Sequence, residues 1–70
     1  MKITNSCDFG MVIRKKRKAM GLTQTALAEF TGLSASFISN LENGKETCEL
    51  EKALYVVNIL GINIEFTERG

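Results

Sequence analysis

Histidine, proline and tryptophan are absent from this 70-residue chain, and cysteine occurs only twice. There is no histidine, no paired thiol, no cluster of metal-ligating side chains and no glycine loop that could cradle phosphates. So small a chain also has little volume for a pocket, and the enzyme class falls first. Cys7 and Cys48 stand far apart and fit no metal or redox spacing, so they read as free thiols of a reducing compartment. No run approaches the roughly 18 apolar residues of a membrane span. With proline absent, no linker, repeat or low-complexity stretch appears either. The N-terminal MKITNSCDFG lacks the apolar core of a signal peptide. The expectation is a soluble, cytoplasmic protein with no membrane partner, no metal and no cofactor.

What is present is one domain spanning residues 1 to 70, with an ordinary 44% apolar content. A domain of this size buries only about 60% of its unfolded surface, so its core is small and a partner chain would help. The net charge is only +1, but the charges are sorted along the chain. Lys2, Arg14, Lys15, Lys16, Arg17 and Lys18 face only Asp8 within the first 28 residues, whereas seven acidic residues outweigh Lys45, Lys52 and Arg69 in the remainder. The RKKRK run is therefore placed to track phosphates while the acidic half faces away.

The segment that decides the reading is TQTALAEFTGLSASFISNLE, from Thr23 to Glu42. Its spacing predicts two short amphipathic helices around a tight turn at Gly32, the form of a helix-turn-helix. Thr23 is the expected cap of the first helix, Leu27 and Phe30 its apolar stripe, and Ala28 the small residue facing the second helix. Gly32 supplies a left-handed turn and Leu33 points back into the core. Ser34 caps the second helix, which carries Phe37, Ile38 and Leu41 inward and stops at Asn43-Gly44. The outer face holds Ala35, Ser36, Ser39 and Asn40 in place of the Lys and Glu that usually solvate an exposed helix. Asn and Ser pair with base edges, and an alanine methyl can touch a thymine methyl. Phe37 reads as core.

On either side, Phe9, Val12, Ile13 and Met20 predict a helix from Phe9 to Met20, with Asp8 as cap and Gly21 as its end. A last helix is expected from about Cys48 to Leu60, with Leu50, Ala53, Leu54, Val57 and Leu60 as its core stripe. Tyr55, Val56 and Ile59 then form a second apolar face that needs cover. After Gly61 the period changes to two: Ile62, Ile64 and Phe66 alternate with Asn63, Glu65 and Thr67, as in a half-buried strand over residues 62 to 67. MKIT is a possible partner, but the simplest symmetric solution pairs the strand with its copy in a twofold homodimer. Tyr55, Ile59, Ile62, Ile64 and Phe66 are the expected dimerisation residues. Such a dimer would present its recognition helices about 34 Å apart.

At Gly21-Leu22-Thr23-Gln24, Leu27-Ala28, Gly32, Ser34, Ile38-Ser39, Glu42 and Gly44-Lys45 the chain resembles the lambda-repressor-like, or Xre-type, helix-turn-helix regulators. The resemblance covers roughly residues 9 to 61. It implies an all-α core of four to five helices, with the recognition helix at about Ser34 to Leu41 and a helix-turn-helix over about 23 to 42. It also implies a buried ion pair between Arg17 and Glu42. Base contacts fall to Ala35, Ser36, Ser39 and Asn40. Ala35 stands where relatives often carry a long amide, and Glu46 and Glu49 stand where others carry basic residues. The phosphate-contacting set is Thr23, Gln24, Ser34 and Lys45, joined by Arg14 and Lys18 of the basic helix.

The small size, the Leu-Gly-Ile-Asn-Ile-Glu ending and the absence of a sensor domain are similar to the HipB-type antitoxins, DNA-binding partners of HipA-like kinase toxins. That narrower resemblance implies a repressor that binds a palindromic operator in double-stranded DNA, regulates its own operon and binds a HipA-like kinase. Two alternatives stay open. One is a phage-type or restriction-modification controller repressor without a toxin, and the other is a protein-only adaptor.

Overall fold

Asn5 starts the first helix, accepting a hydrogen bond from the Asp8 backbone N–H at 2.8 Å. In the computed structural model, which describes residues 2–69, helix α1 therefore runs Ser6–Ala19. It begins three residues ahead of the expected start. Asp8 is not the cap, because its carboxylate turns back to accept from Thr4 N and Oγ1 at 3.2 and 3.0 Å. That arrangement sets a negative charge against the positive helix end. Met1 and Gly70, part of the domain expected over residues 1 to 70, lie outside the described residues.

Three helices follow: α2, Gln24–Thr31; α3, Ala35–Glu42; and α4, Leu50–Ile59. The core gathers Ile13, Leu27, Ala28, Ile38, Leu41, Ala53, Val56, Val57 and Leu60, with Phe9, Leu33 and Phe37 packed at its edge. Full burial of one such aliphatic side chain contributes about 2 kcal/mol. Helix α3 packs against both α1 and α2, and α4 closes on α2. No helix among the described residues is long and apolar enough to cross a membrane.

Two stripes are corrected by the packing. Phe30 is 67% exposed, and Thr31 takes the inward position beside Leu27 and Ala28. Its hydroxyl is satisfied there by donating to the carbonyls of Leu27 and Ala28. On α4, Leu50 and Leu54 lie outside, while Ala53, Val56, Val57 and Leu60 form the buried face. Nearly every α4 position is apolar, so periodicity could not select the face. Close helix packing does, by taking alanine and valines where a leucine would hold the axes apart. Val56 thereby leaves the expected second face, on which Tyr55 and Ile59 remain exposed.

Among the described residues there is no strand. Ile62 packs against its own domain and its N–H donates to Val57 O at 3.1 Å, whereas Ile64 and Phe66 are exposed. A strand is defined by its ladder, and in a single chain the tail meets no second strand to form one.

Candidate nucleic-acid interface

The orientation of α3 is set at its C-terminal end. Glu42, 5% exposed, accepts from Arg17 Nε at 2.6 Å on Oε2 and from Arg17 Nη2 at 2.9 Å on Oε1. The remaining arm of the guanidinium, Nη1, donates to the Leu22 carbonyl at 2.7 Å. This fork ties α1, the α1–α2 loop and the end of α3 into one joint, with the planar geometry that favours Arg over Lys. The hydrogen bond to Glu42 holds the Arg17 pKa above its ordinary value, against the opposing effect of burial, and the charge on Glu42 adds to the rise. A raised pKa in the folded state means that this contribution is complete below the unfolded value and is lost only as pH climbs through the folded one. The pair thus stays engaged through neutral and mildly alkaline conditions.

Gln24, the first residue of α2, joins the same joint by donating from Nε2 to Glu42 Oε1 at 3.2 Å. One amide proton of Nε2 remains free. Thr23 Oγ1 accepts from Ala26 N and Ser34 Oγ accepts from Phe37 N, each at 3.0 Å. A hydroxyl that accepts from the backbone still has its own proton to donate, so both caps remain competent toward an anionic oxygen. Gly32 turns the chain between α2 and α3 at φ +71, a value that an L side chain resists.

This frame sends the opposite face of α3 outward. Ala35 and Ser36 are exposed, and Ser39 and Asn40 are half-buried. The Ser39 hydroxyl accepts from Asn43 Nδ2 at 3.4 Å, while the Asn40 amide makes no hydrogen bond to another described residue. Lys45 is exposed just past α3, its N–H donating to the Asn40 carbonyl at 3.0 Å. Arg14 and Lys18 are exposed four residues apart on α1. The RKKRK run is therefore divided, four side chains in solvent and Arg17 turned inward. Tyr55, Ile59, Ile64 and Phe66 lie on the surface away from the core.

The sequence reading missed the contact that seats α1 on this frame. Gly10 is buried, and a Cβ there would collide with the backbone carbonyls of Leu41 and Glu42. Beside it Ser6 Oγ donates to Gly44 O at 2.8 Å. The available signal was a glycine inside a helical pattern, which lowers helix stability and so points to a close approach.

The helix-turn-helix family matches residues 13–66. The HTH-type transcriptional regulator y4mF of Sinorhizobium fredii is 36% identical over 69 residues, covering 99% of this chain and 91% of that protein. The competence pilus inhibition repressor of Acinetobacter baylyi is 51% identical over 39 residues, which cover 56% of this chain and 36% of the repressor. Among solved structures, a chain of the HipA-HipB-O2-O3 complex superposes with a TM-score of 0.88 at 23% identity, covering 100% of this chain and 99% of that one, so the HipB fold is shared. The family match spans most of the chain and coincides with the α2–α3 frame described above, and this chain belongs to the helix-turn-helix family of DNA-binding transcriptional regulators.

Proposed function

We propose that this chain is a cytoplasmic homodimeric repressor that reads a palindromic operator with α3 and serves as antitoxin and autoregulator beside a HipA-like kinase. The carrying observation is the outward face of α3. Ala35, Ser36, Ser39 and Asn40 are short enough to bring the helix backbone close to base edges, and Arg17 with Glu42 fixes the angle at which they arrive. In this reading Asn40 and the serines hydrogen-bond bases and Ala35 meets a thymine methyl. Thr23, Gln24, Ser34 and Lys45 hold the flanking phosphates, and Arg14 and Lys18 extend that contact along the backbone. The tails over residues 62 to 67 pair across a twofold axis, with Tyr55 and Ile59 beside them.

The antitoxin assignment draws support from the shared fold with a chain of a complex that contains HipA together with HipB. The competence pilus inhibition repressor favours a second reading, a plain repressor with no kinase partner. Selection of bound fragments from random duplexes tests the core of both: the expected product is a twofold repeat with half-sites one helical turn apart. Failure to enrich any sequence would leave the adaptor. Co-expression with a neighbouring kinase-like open reading frame then separates the first two, because only an antitoxin copurifies with the kinase and releases cells from its growth arrest.

A further inference from the structure

Among the described residues, the tail beyond Ile62 stands without hydrogen-bonded partners. From Asn63 to Arg69 no backbone hydrogen bond reaches another described residue. Ile64 is 45% exposed and Phe66 97%. Alongside runs a groove of about 810 Å³, walled by the tail from Ile62 onward and, across from it, by Lys2, Ile3, Thr4, Phe9 and Val12. Phe66 stands at the rim of its own groove with its ring in solvent.

Twofold pairing of the tails admits few registers. Opposed residues of an antiparallel pair share a face, so the apolar and polar sets stay in phase only if the axis passes through a residue. An axis at Glu65 opposes two carboxylates. An axis at Asn63 sets Phe66 against Leu60, which is already sealed in the core at 2% exposure. An axis at Ile64 pairs it with its own copy, sets Asn63 beside Glu65 and places Phe66 opposite Ile62. Ile62 is already packed against the core of its own domain.

We infer that Phe66 of each subunit plugs the groove of the other, its ring seated on the partner's Ile62 and against the partner's Ile3, Phe9 and Val12. The inference rests on the dimer reading above and extends it. The extended N-terminal segment and the outer side of α1 become part of the interface, and Lys2 on the groove wall meets an incoming tail that carries Glu65 and Glu68.

The test mixes a Phe66→p-benzoylphenylalanine chain with ¹⁵N-labelled wild type, allows subunits to exchange and irradiates. Trypsin releases residues 3 to 14 as one peptide, and the expected adduct carries that peptide in its labelled form. An adduct confined to the unlabelled peptide of the same chain, in a sample that sediments as a dimer, overturns the crossed seating and leaves the dimer standing. Wild type that sediments as a monomer removes the dimer reading and the seating with it. Phe66 is almost wholly exposed, so Phe66→Ala should fold normally yet raise the dimer Kd about 30-fold, the equivalent of burying one aromatic ring. An unchanged Kd also overturns the seating.

Discussion

Arg17 Nε and Glu42 Oε2 meet at 2.6 Å across 25 residues of sequence, with side chains 8% and 1% exposed. A buried pair of this kind is weak as a source of net stability, because desolvation offsets most of the attraction. Its value here is directional: the fork admits one relative placement of α1 and α3. Arg17→Met should lower stability by about 3 kcal/mol, because buried Glu42 loses its counter-charge. Thermal melts followed by circular dichroism should show a drop of at least about 10 °C for a domain of this size. Replacing both partners by apolar residues should recover most of it while loosening DNA binding. An unchanged melting temperature for the single variant would mean that the pair holds nothing in place.

Gly10→Ala makes a sharper case. Alanine would gain up to about 1 kcal/mol of helix propensity. Its Cβ, however, would stand about 2.6 Å from the Glu42 carbonyl oxygen, a backbone atom with no rotamer to escape into. The clash wins, and the expected net loss is about 2 kcal/mol. Urea unfolding should show a lower midpoint at the same slope, and a midpoint that rises would refute the close seating of α1 on α3.

These two positions show what the sequence made legible. The helix-turn-helix is local, with caps at Thr23 and Ser34, the Gly32 corner and Ile38 and Leu41 facing inward, so its pieces could be read in order. The start of α1 was misread because Asn5 and Asp8 are both good caps and only geometry chooses between them. On α4 Ala53, Val57 and Leu60 bury as their spacing predicts, but Leu50 and Leu54 stay outside and Val56 goes inside, because all three are apolar and the choice among them belongs to the opposing helix. Gly10 was overlooked because its reason lies on α3. The tail reads as a strand paired across a dimer, but no strand forms among the described residues of the single chain, because a strand's ladder needs a partner that its own residues do not supply.

Asn40 offers the cleanest separation of base from backbone contact. Its amide is uncommitted within the described chain and half-buried beside the exposed Ser36 face. Asn40→Ala should weaken binding to the selected operator by about 1–3 kcal/mol and affect random DNA much less. Equal weakening on both duplexes, measured by fluorescence anisotropy, would move Asn40 to the phosphate set.

Lys45 should behave in the opposite way. It is exposed immediately after α3 and carries a point charge with no acidic partner among the described residues. Lys45→Gln should reduce affinity for operator and random duplex alike, and flatten the dependence of log Kd on log salt by about 0.9 for each phosphate no longer neutralised. In a dimer both copies contribute, so the expected change is about twice that. A slope that stays fixed would place Lys45 away from the DNA.

Removal of residues 64 to 70 tests whether the tail joins two subunits or merely ends one. The cut spares Ile62, whose N–H closes the end of α4 on Val57 and whose side chain covers the core, so the helical domain should keep its melting behaviour. What it removes is Ile64 and Phe66, the exposed apolar side chains of the tail. Sedimentation should then report a monomer. Each recognition helix would have to find its half-site alone, without the effective concentration that a joined partner provides, and operator affinity should fall by about 100-fold or more. Binding to a single half-site should hardly change, because α3 and its Arg17–Glu42 joint are untouched. A truncated chain that still sediments as a dimer would move the interface off the tail to other exposed apolar side chains, Tyr55 and Ile59 on α4 among them.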